Sequence, residues 1–471
     1  GDFSPPVFAY TPWSNTASTG NRTLADVVMT DVSGVNGTAY KPRLYYKKLH
    51  DLNAYNGNTS ADNGWKWVES TGGASPFSFT LDASILRGGS MALGDTIIYF
   101  LVAEDLATSP NVGSDHGVFA ALPAHVALSA AAFPIGDTAV IHRFVICTTI
   151  SGTFAVGSGQ VYTTLTGPGG LFQALKTSVL AGDLTAVISS DITEPGTYGL
   201  DPWPEQGAGG YSLRIVPDAV ARTVRGLSVA PNTPMIRING AKRVSINGTA
   251  SNLLTFRNSN ASPESTGPTI AFMNGAMNDS LINCTIENNG TSIGSGAVNI
   301  GGGAASSAIL IAANVIRDAT ADNSGSPANA ISSNSSANAS ITILSNSISN
   351  WTNSGIDAAA ADSGWNVTGN SFYRSLGSPA SGSQTVVSLL QGEGHSIMNN
   401  MIGGTAANCG GGMWAHSGTG PVIGIDLANT AASTSTISGN IITRFSIRDT
   451  AAFIGIRTGG GSTTIFGNTI G

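Results

Sequence analysis

The chain has 471 residues, of which 10% are charged, with a net charge of −7, 60 glycines and three cysteines. Gly, Ser, Thr, Asn and Ala replace the roughly 25% charge of an ordinary soluble domain, while 41% hydrophobic content is too much for a disordered chain. The acidic balance leaves no basic footprint for nucleic acid, no apolar run reaches the roughly 20 residues of a membrane-spanning helix, and Cys147, Cys284 and Cys409 are too scattered for a disulfide framework or a CxxC metal knuckle.

In chain order, period-two alternation predicts strands near Thr23–Val32, Arg43–Leu49, Trp65–Ser70, Phe77–Ala83 and Thr96–Glu104, separated by Gly, Pro, Asn and Asp clusters. Strands at this spacing, without helical pattern between them, predict a β-sandwich over residues 1–125. Trp65 and Trp67 share a face, with Tyr45 and Tyr99 expected to meet it in the core. The Pro/Ala-rich stretch reads as a linker over 126–148. A helix is predicted near Gly169–Gly182, with Leu171, Phe172, Leu175 and Val179 on one face.

From there to the end the chain repeats. An apolar-x-x-Asn-x-apolar pattern recurs around Asn314, Asn346, Asn370, Asn400, Asn440 and Asn468, with a looser first instance at Ile282-Asn283, at spacings of 24 to 40 residues. A second short apolar strand precedes each Asn at a steadier lag: Ile270–Met273, Ala297–Ile300, Ala330–Ile331, Gly355–Ile356, Val386–Leu390, Val422–Ile425 and Phe453–Ile456. Fixed strands joined by an elastic loop predict a parallel β-helix over 149–471, with the helix as its N-terminal cap. The Asn residues are expected to tolerate a left-handed corner and to stack as a hydrogen-bonded ladder. The end at Gly471 falls inside a repeat, so the chain is expected to be a piece of a longer protein.

Chemistry-bearing residues are sparse. Asp357 and Asp426 share a Gly-Ile-Asp setting two coils apart, roughly 10 Å at about 4.8 Å per rung, at the far edge of the spacing of an inverting glycosidase pair. His395 and His416 have no metal-ligand spacing, and the Gly-rich runs lack the Lys and helix of a phosphate cradle. No cofactor is expected; Glu104, Asp105 and Asp115, flanking a loop after a strand, are the calcium candidates. Trp351 and Trp365 are the candidate glycan contacts if an aromatic pair lies exposed, and Cys284 is expected to be a small buried hydrophobe.

Tyr10-Thr11-Pro12, Arg43-Leu44-Tyr45-Tyr46-Lys47-Lys48, the run from Asn58 to Lys66, Pro76-Phe77-Ser78-Phe79 and Gly94–Phe100 resemble an immunoglobulin-like module of large secreted proteins of the Bacteroidota. Gly152–Gly157, Leu165–Phe172, Glu194-Pro195-Gly196, Gly207–Tyr211 and Leu254–Asn258 are similar to the right-handed parallel β-helix of pectate-lyase-like fold that follows it. The resemblance implies a cell-surface or released protein exported by the type IX system through a sorting domain absent from these residues. It carries over no catalytic motif. It also implies O-glycosylation at Asp-Thr/Ser-apolar triplets, namely Thr138, Ser280 and Thr450, with Thr96 set aside as lying in a strand.

The expected fold is therefore all-β: an immunoglobulin-like sandwich, then a right-handed parallel β-helix with an N-terminal capping helix. The expected function is a non-catalytic structural or adhesive module of an extracellular surface protein or appendage. Its expected partners are glycans, other surface proteins, further domains of the same chain and laterally associated copies, with neither nucleic acid nor membrane insertion. The alternatives are a carbohydrate-active β-helix enzyme (a polysaccharide lyase or glycoside hydrolase) and a glycan-binding module.

Overall fold

A computed structural model describes residues 2–333, 337–358, 361–377, 381–430 and 433–471. The chain divides into a first unit, Gly1–Thr149 with Pro204–Ala208, and a second, Ile150–Trp203 with Gly209–Gly471.

In the first unit the alternating segments become two antiparallel sheets. Val7–Ala9, Arg22–Thr30 and Phe77–Leu81 form one; Lys66–Glu69, Arg43–Lys48 and Thr96–Glu104 lead the other. Leu24, Val27, Met29, Phe77 and Phe79 of the first sheet meet Leu44, Tyr46, Tyr99 and Leu101 of the second in one core. Arg22–Thr30 keeps its apolar side chains on that core across an irregularity between Leu24 and Val27, where Asp26 adopts φ 56°. The extra residue resets the register without turning the strand over.

Thr96–Glu104 is buried on both faces, and this corrects two expectations. Tyr99 faces the inter-sheet core, whereas Tyr45 and Trp65 lie with Ile98, Phe100 and Val102 on the opposite face. That face is covered by Val126, Leu128, Ala132, Phe133, Ile135 and Ile141. The stretch 126–148 is thus packed structure rather than a linker, because its spaced apolar residues bury against an apolar sheet face. Tyr45 fastens it: its hydroxyl donates to Val126 O at 2.8 Å and accepts the Leu128 N–H at 2.9 Å. His142–Val145 then returns to pair with Thr96–Tyr99.

The second unit is a parallel β-solenoid of about ten turns, built, among the described residues, from sheets of eleven, ten and eight strands. Each motif spans one corner: the apolar residue before its Asn lies in a strand of the eleven-stranded sheet, and the one after lies in a strand of the ten-stranded sheet. The upstream apolar strands form the eight-stranded sheet. In register, Ile246, Leu281, Ile311, Ile343, Val367, Ile397 and Ile437 stack along the first. Val224, Phe256, Ile286, Ile316, Ile348, Phe372, Ile402 and Ile442 stack along the second. Each fully buried side chain of this kind contributes roughly 1.5–3 kcal/mol.

The helix is shorter than predicted. It spans Leu171–Lys176 and turns Leu171, Phe172 and Leu175 into the solenoid core, but Val179 belongs to the strand Ser178–Ile188. Pairing of that strand with Leu213–Pro217 outweighs a helical pattern already weakened by Thr177, Val179 and Gly182.

The asparagines form one column. The Asn314 backbone N–H and one Nδ2 hydrogen both donate to Asn346 Oδ1, at 2.9 and 3.0 Å, and Nδ2 donates again to Leu281 O at 2.8 Å. The same three bonds recur from Asn346, Asn370, Asn400 and Asn440, the last reaching Asn468. The reason for Asn is hydrogen bonding alone, which corrects the conformational part of the expectation. The left-handed corner is taken by the preceding residue: Ala313, Ser345, Gly369, Asn399, Gly439 and Gly467 all have φ between 54° and 67°. Asn283 belongs to that corner series, with φ 54°, and Cys284 stands at the head of the column, its N–H donating to Asn314 Oδ1 at 2.9 Å. Replacing Asn370 by Leu strands the Asn346 donors and the Ile343 carbonyl; it should cost on the order of 1–3 kcal/mol. The denaturation midpoint of the solenoid measures this, and an unchanged midpoint would contradict the column's contribution.

Candidate functional site

The outward side chains of the eight-stranded sheet line up in register as Ala271, Asn299, Ser332, Asp357, Ser388, Asp426 and Arg457. Strand alternation puts apolar neighbours such as Ile356, Val387 and Ile425 inward and this row on the opposite face of the sheet, where Ala271, Asn299, Ser332, Ser388 and Asp426 are nonetheless buried and Asp357 is half-buried. Asn299 Nδ2 donates to Ser332 Oγ at 2.8 Å. Burial raises the Asp357 carboxyl above its ordinary range, and a hydrogen bond from Ser388 partly offsets this. Asp426 is held by Arg457 in a two-pronged pair, Nε to Oδ1 at 2.8 Å and Nη2 to Oδ2 at 2.5 Å. Asp357 and Asp426 therefore do share one row with Ser388 between them, two rungs or roughly 10 Å apart. Hydrolytic carboxylate pairs stand about 5–9.5 Å apart, and a carboxylate engaged at both oxygens by a guanidinium is a poor base.

The other sequence candidates fall elsewhere. Trp351 and Trp365 are 1% and 0% exposed, so they are core residues and not glycan contacts. Trp351 packs edge-on against Phe372 and Trp414, filling apolar space no aliphatic side chain would span. Glu104, Asp105 and Asp115 do not converge as a calcium set. Glu104 accepts from Asn36 Nδ2 at 3.0 Å and faces His125, while Asp105 accepts the Ala107 and Asn111 amides and the Asn111 side chain. Asp115 accepts the Leu101 N–H at 2.7 Å and the Tyr10 hydroxyl. Asp105 instead lies near Asp2 and Asp31, a cluster with no sequence spacing to announce it.

Of the O-glycosylation positions, Thr450 is exposed and Thr138 half-buried beside the left-handed Asp137. Ser280 lies within a strand with its hydroxyl bonded to Ser245 Oγ at 2.9 Å. His395 and His416 are buried; His416 Nε2 meets Gly420 O at 2.8 Å. Cys284 is a free buried thiol whose pKa burial pushes up to about 12.

Two buried acids were not legible as special. Asp279 accepts the Val244 N–H at 2.7 Å, and burial pushes its carboxyl up to about 7. Asp362 accepts the Asn338 N–H at 2.8 Å, and burial pushes it up to about 6. Both hold a proton to higher pH folded than unfolded. The native state therefore binds more protons between about pH 4 and pH 7, and stability falls as pH rises through that window. Asp279→Asn keeps an acceptor oxygen and cannot ionise. Its melting temperature relative to the parent should improve between about pH 4 and pH 8; a relative loss over the same range would contradict the assignment.

No family model matches the chain, and no curated protein matches it. Among solved structures it is similar to a surface adhesin of Streptococcus pneumoniae, PfbA, at 12% identity over 68% of this chain and 81% of that one, with a TM-score of 0.38. It is also similar to the A-module of the mannuronan C-5 epimerase AlgE4 of Azotobacter vinelandii, at 11% identity over 62% of this chain and 91% of that one, with a TM-score of 0.18.

Proposed function

We propose that the chain is a non-catalytic structural and adhesive module of a large secreted bacterial surface protein or extracellular appendage, with an immunoglobulin-like first unit and a right-handed solenoid. The observation that carries this reading is the outer face of the eleven-stranded sheet. Ser245, Ser280, Leu310, Thr342, Asn366, Ser396, Thr436 and Thr464 follow one another in register there, an uncharged row at single-rung spacing that carries hydroxyls and amides at every position but Leu310. Such a row offers many weak hydrogen bonds to glycan or protein surfaces, and affinity then comes from number. The resemblance to type IX-exported proteins of the Bacteroidota supports an extracellular location, and the same uncharged flank suits lateral contact between copies.

The second reading is a carbohydrate-active β-helix, favoured by the Asp357 row and its raised carboxyl. One experiment separates the two. Incubation with neutral and uronate polysaccharides should release no reducing ends or unsaturated products, while beads bearing many copies should bind glycan-coated surfaces that single copies leave within seconds. Products that disappear in Asp357→Asn would establish the enzyme instead.

A further inference from the structure

The central strand of the second sheet in the first unit has a divided edge. Thr96–Tyr99 pair with His142–Val145, and Val102–Glu104 pair with Val112–Ser114, so two short strands share one edge end to end. At the junction the Leu101 N–H has no strand partner and is taken by Asp115 Oδ1 at 2.7 Å. This forces Asp115 and His116, just after one short strand, against His142, the first residue of the other.

Asp115, His116 and His142 each offer one donor atom, all within 4.8 Å of one another. Asp115 Oδ2 stands 3.6 Å from His116 Nδ1 and 3.7 Å from His142 Nε2, and the two imidazole centroids are 4.1 Å apart. A zinc ion with bonds of about 2.0–2.1 Å separates its donors by about 3.0–3.5 Å, so the two carboxylate–imidazole distances need shorten by only a few tenths of an ångström, while rotation of the imidazoles sets the third. His116 Nδ1 is buried and has no hydrogen-bond partner, a lone donor atom turned toward the other two. The Tyr10 hydroxyl and the Leu101 amide hold the Asp115 carboxylate in place, as carboxylate ligands generally require. On the open side lies a cavity of about 440 Å³ lined by Pro6, Phe8, Tyr10, Pro12 and Ser114, with room for water or a small anion as fourth ligand.

The geometry points to a divalent zinc site formed by Asp115, His116 and His142. Two imidazoles with one carboxylate select a first-row ion such as zinc over calcium, whose sites are built from oxygen. Bound there, zinc ties together the two ends of segment 115–142 and fixes the packed stretch between them.

The full chain titrated with zinc chloride should take up one equivalent at this site and melt at higher temperature, with no comparable effect of calcium chloride. His116→Gln and His142→Gln should each weaken uptake at least about tenfold, while His50→Gln, at an exposed histidine elsewhere, leaves it unchanged. Cobalt(II) supplies a second readout independent of stability: its visible absorption in the parent should be lost in both variants. Absence of uptake below roughly 100 µM free zinc, or equal uptake by parent and both variants, overturns the site.

Discussion

Backbone pairing between successive coils is the constraint from which the rest of the solenoid follows. In a parallel ladder each residue faces its counterpart one coil away at about 4.8 Å, so whatever stands at a position must suit a near-copy of itself above and below. Apolar residues meet this by stacking into continuous rows, as Ile311, Ile343 and Val367 do. Buried polar residues meet it only if donor and acceptor coexist on one side chain. Asn does so, and the column from Asn314 to Asn468 leaves every carboxamide oxygen and hydrogen in use.

That constraint also shapes where chemistry can arise. A carboxylate repeated at every rung would repel itself, so acids on the eight-stranded sheet are diluted by Ser332 and Ser388 or neutralised by Arg457. On the ten-stranded sheet Glu287 is flanked one coil away on each side by Arg257 and Arg317, at 2.5 and 2.7 Å. On these two sheets the acids are thus spaced out or paired with arginines.

Repeats of this kind are legible because the physics repeats. The Asn spacing and the upstream apolar strands marked the coils of the solenoid, though not its division into three sheets, and the alternation in the first 104 residues located five strands of the first unit. What escaped was set by three-dimensional context. Trp351 and Trp365 carry no mark that separates an exposed aromatic from one filling a wide coil. The Pro/Ala-rich stretch hid Val126, Leu128 and Phe133 among small residues, although these cover an apolar face. Asp115 and His116 are far from His142 in sequence, and only the divided edge of one strand brings them together. The role of Asn was half visible: the motif marked the corner, but the left-handed residue is its predecessor.

The Asn column also has a direction. From Asn314 to Asn440 every carboxamide donates one Nδ2 hydrogen to the Oδ1 of the following coil and accepts at its own oxygen from the preceding one, the first acceptance being from Cys284 N–H and the last at Asn468. Turning one amide over would set nitrogen against nitrogen on one side and oxygen against oxygen on the other. No member can therefore reorient alone; the column is aligned as a whole, and its neighbouring bonds polarise one another. The aligned amide dipoles add along the axis, much as peptide dipoles add in a helix. The column thus has a polarity of its own, with its negative end toward Cys284 and its positive end toward Asn468.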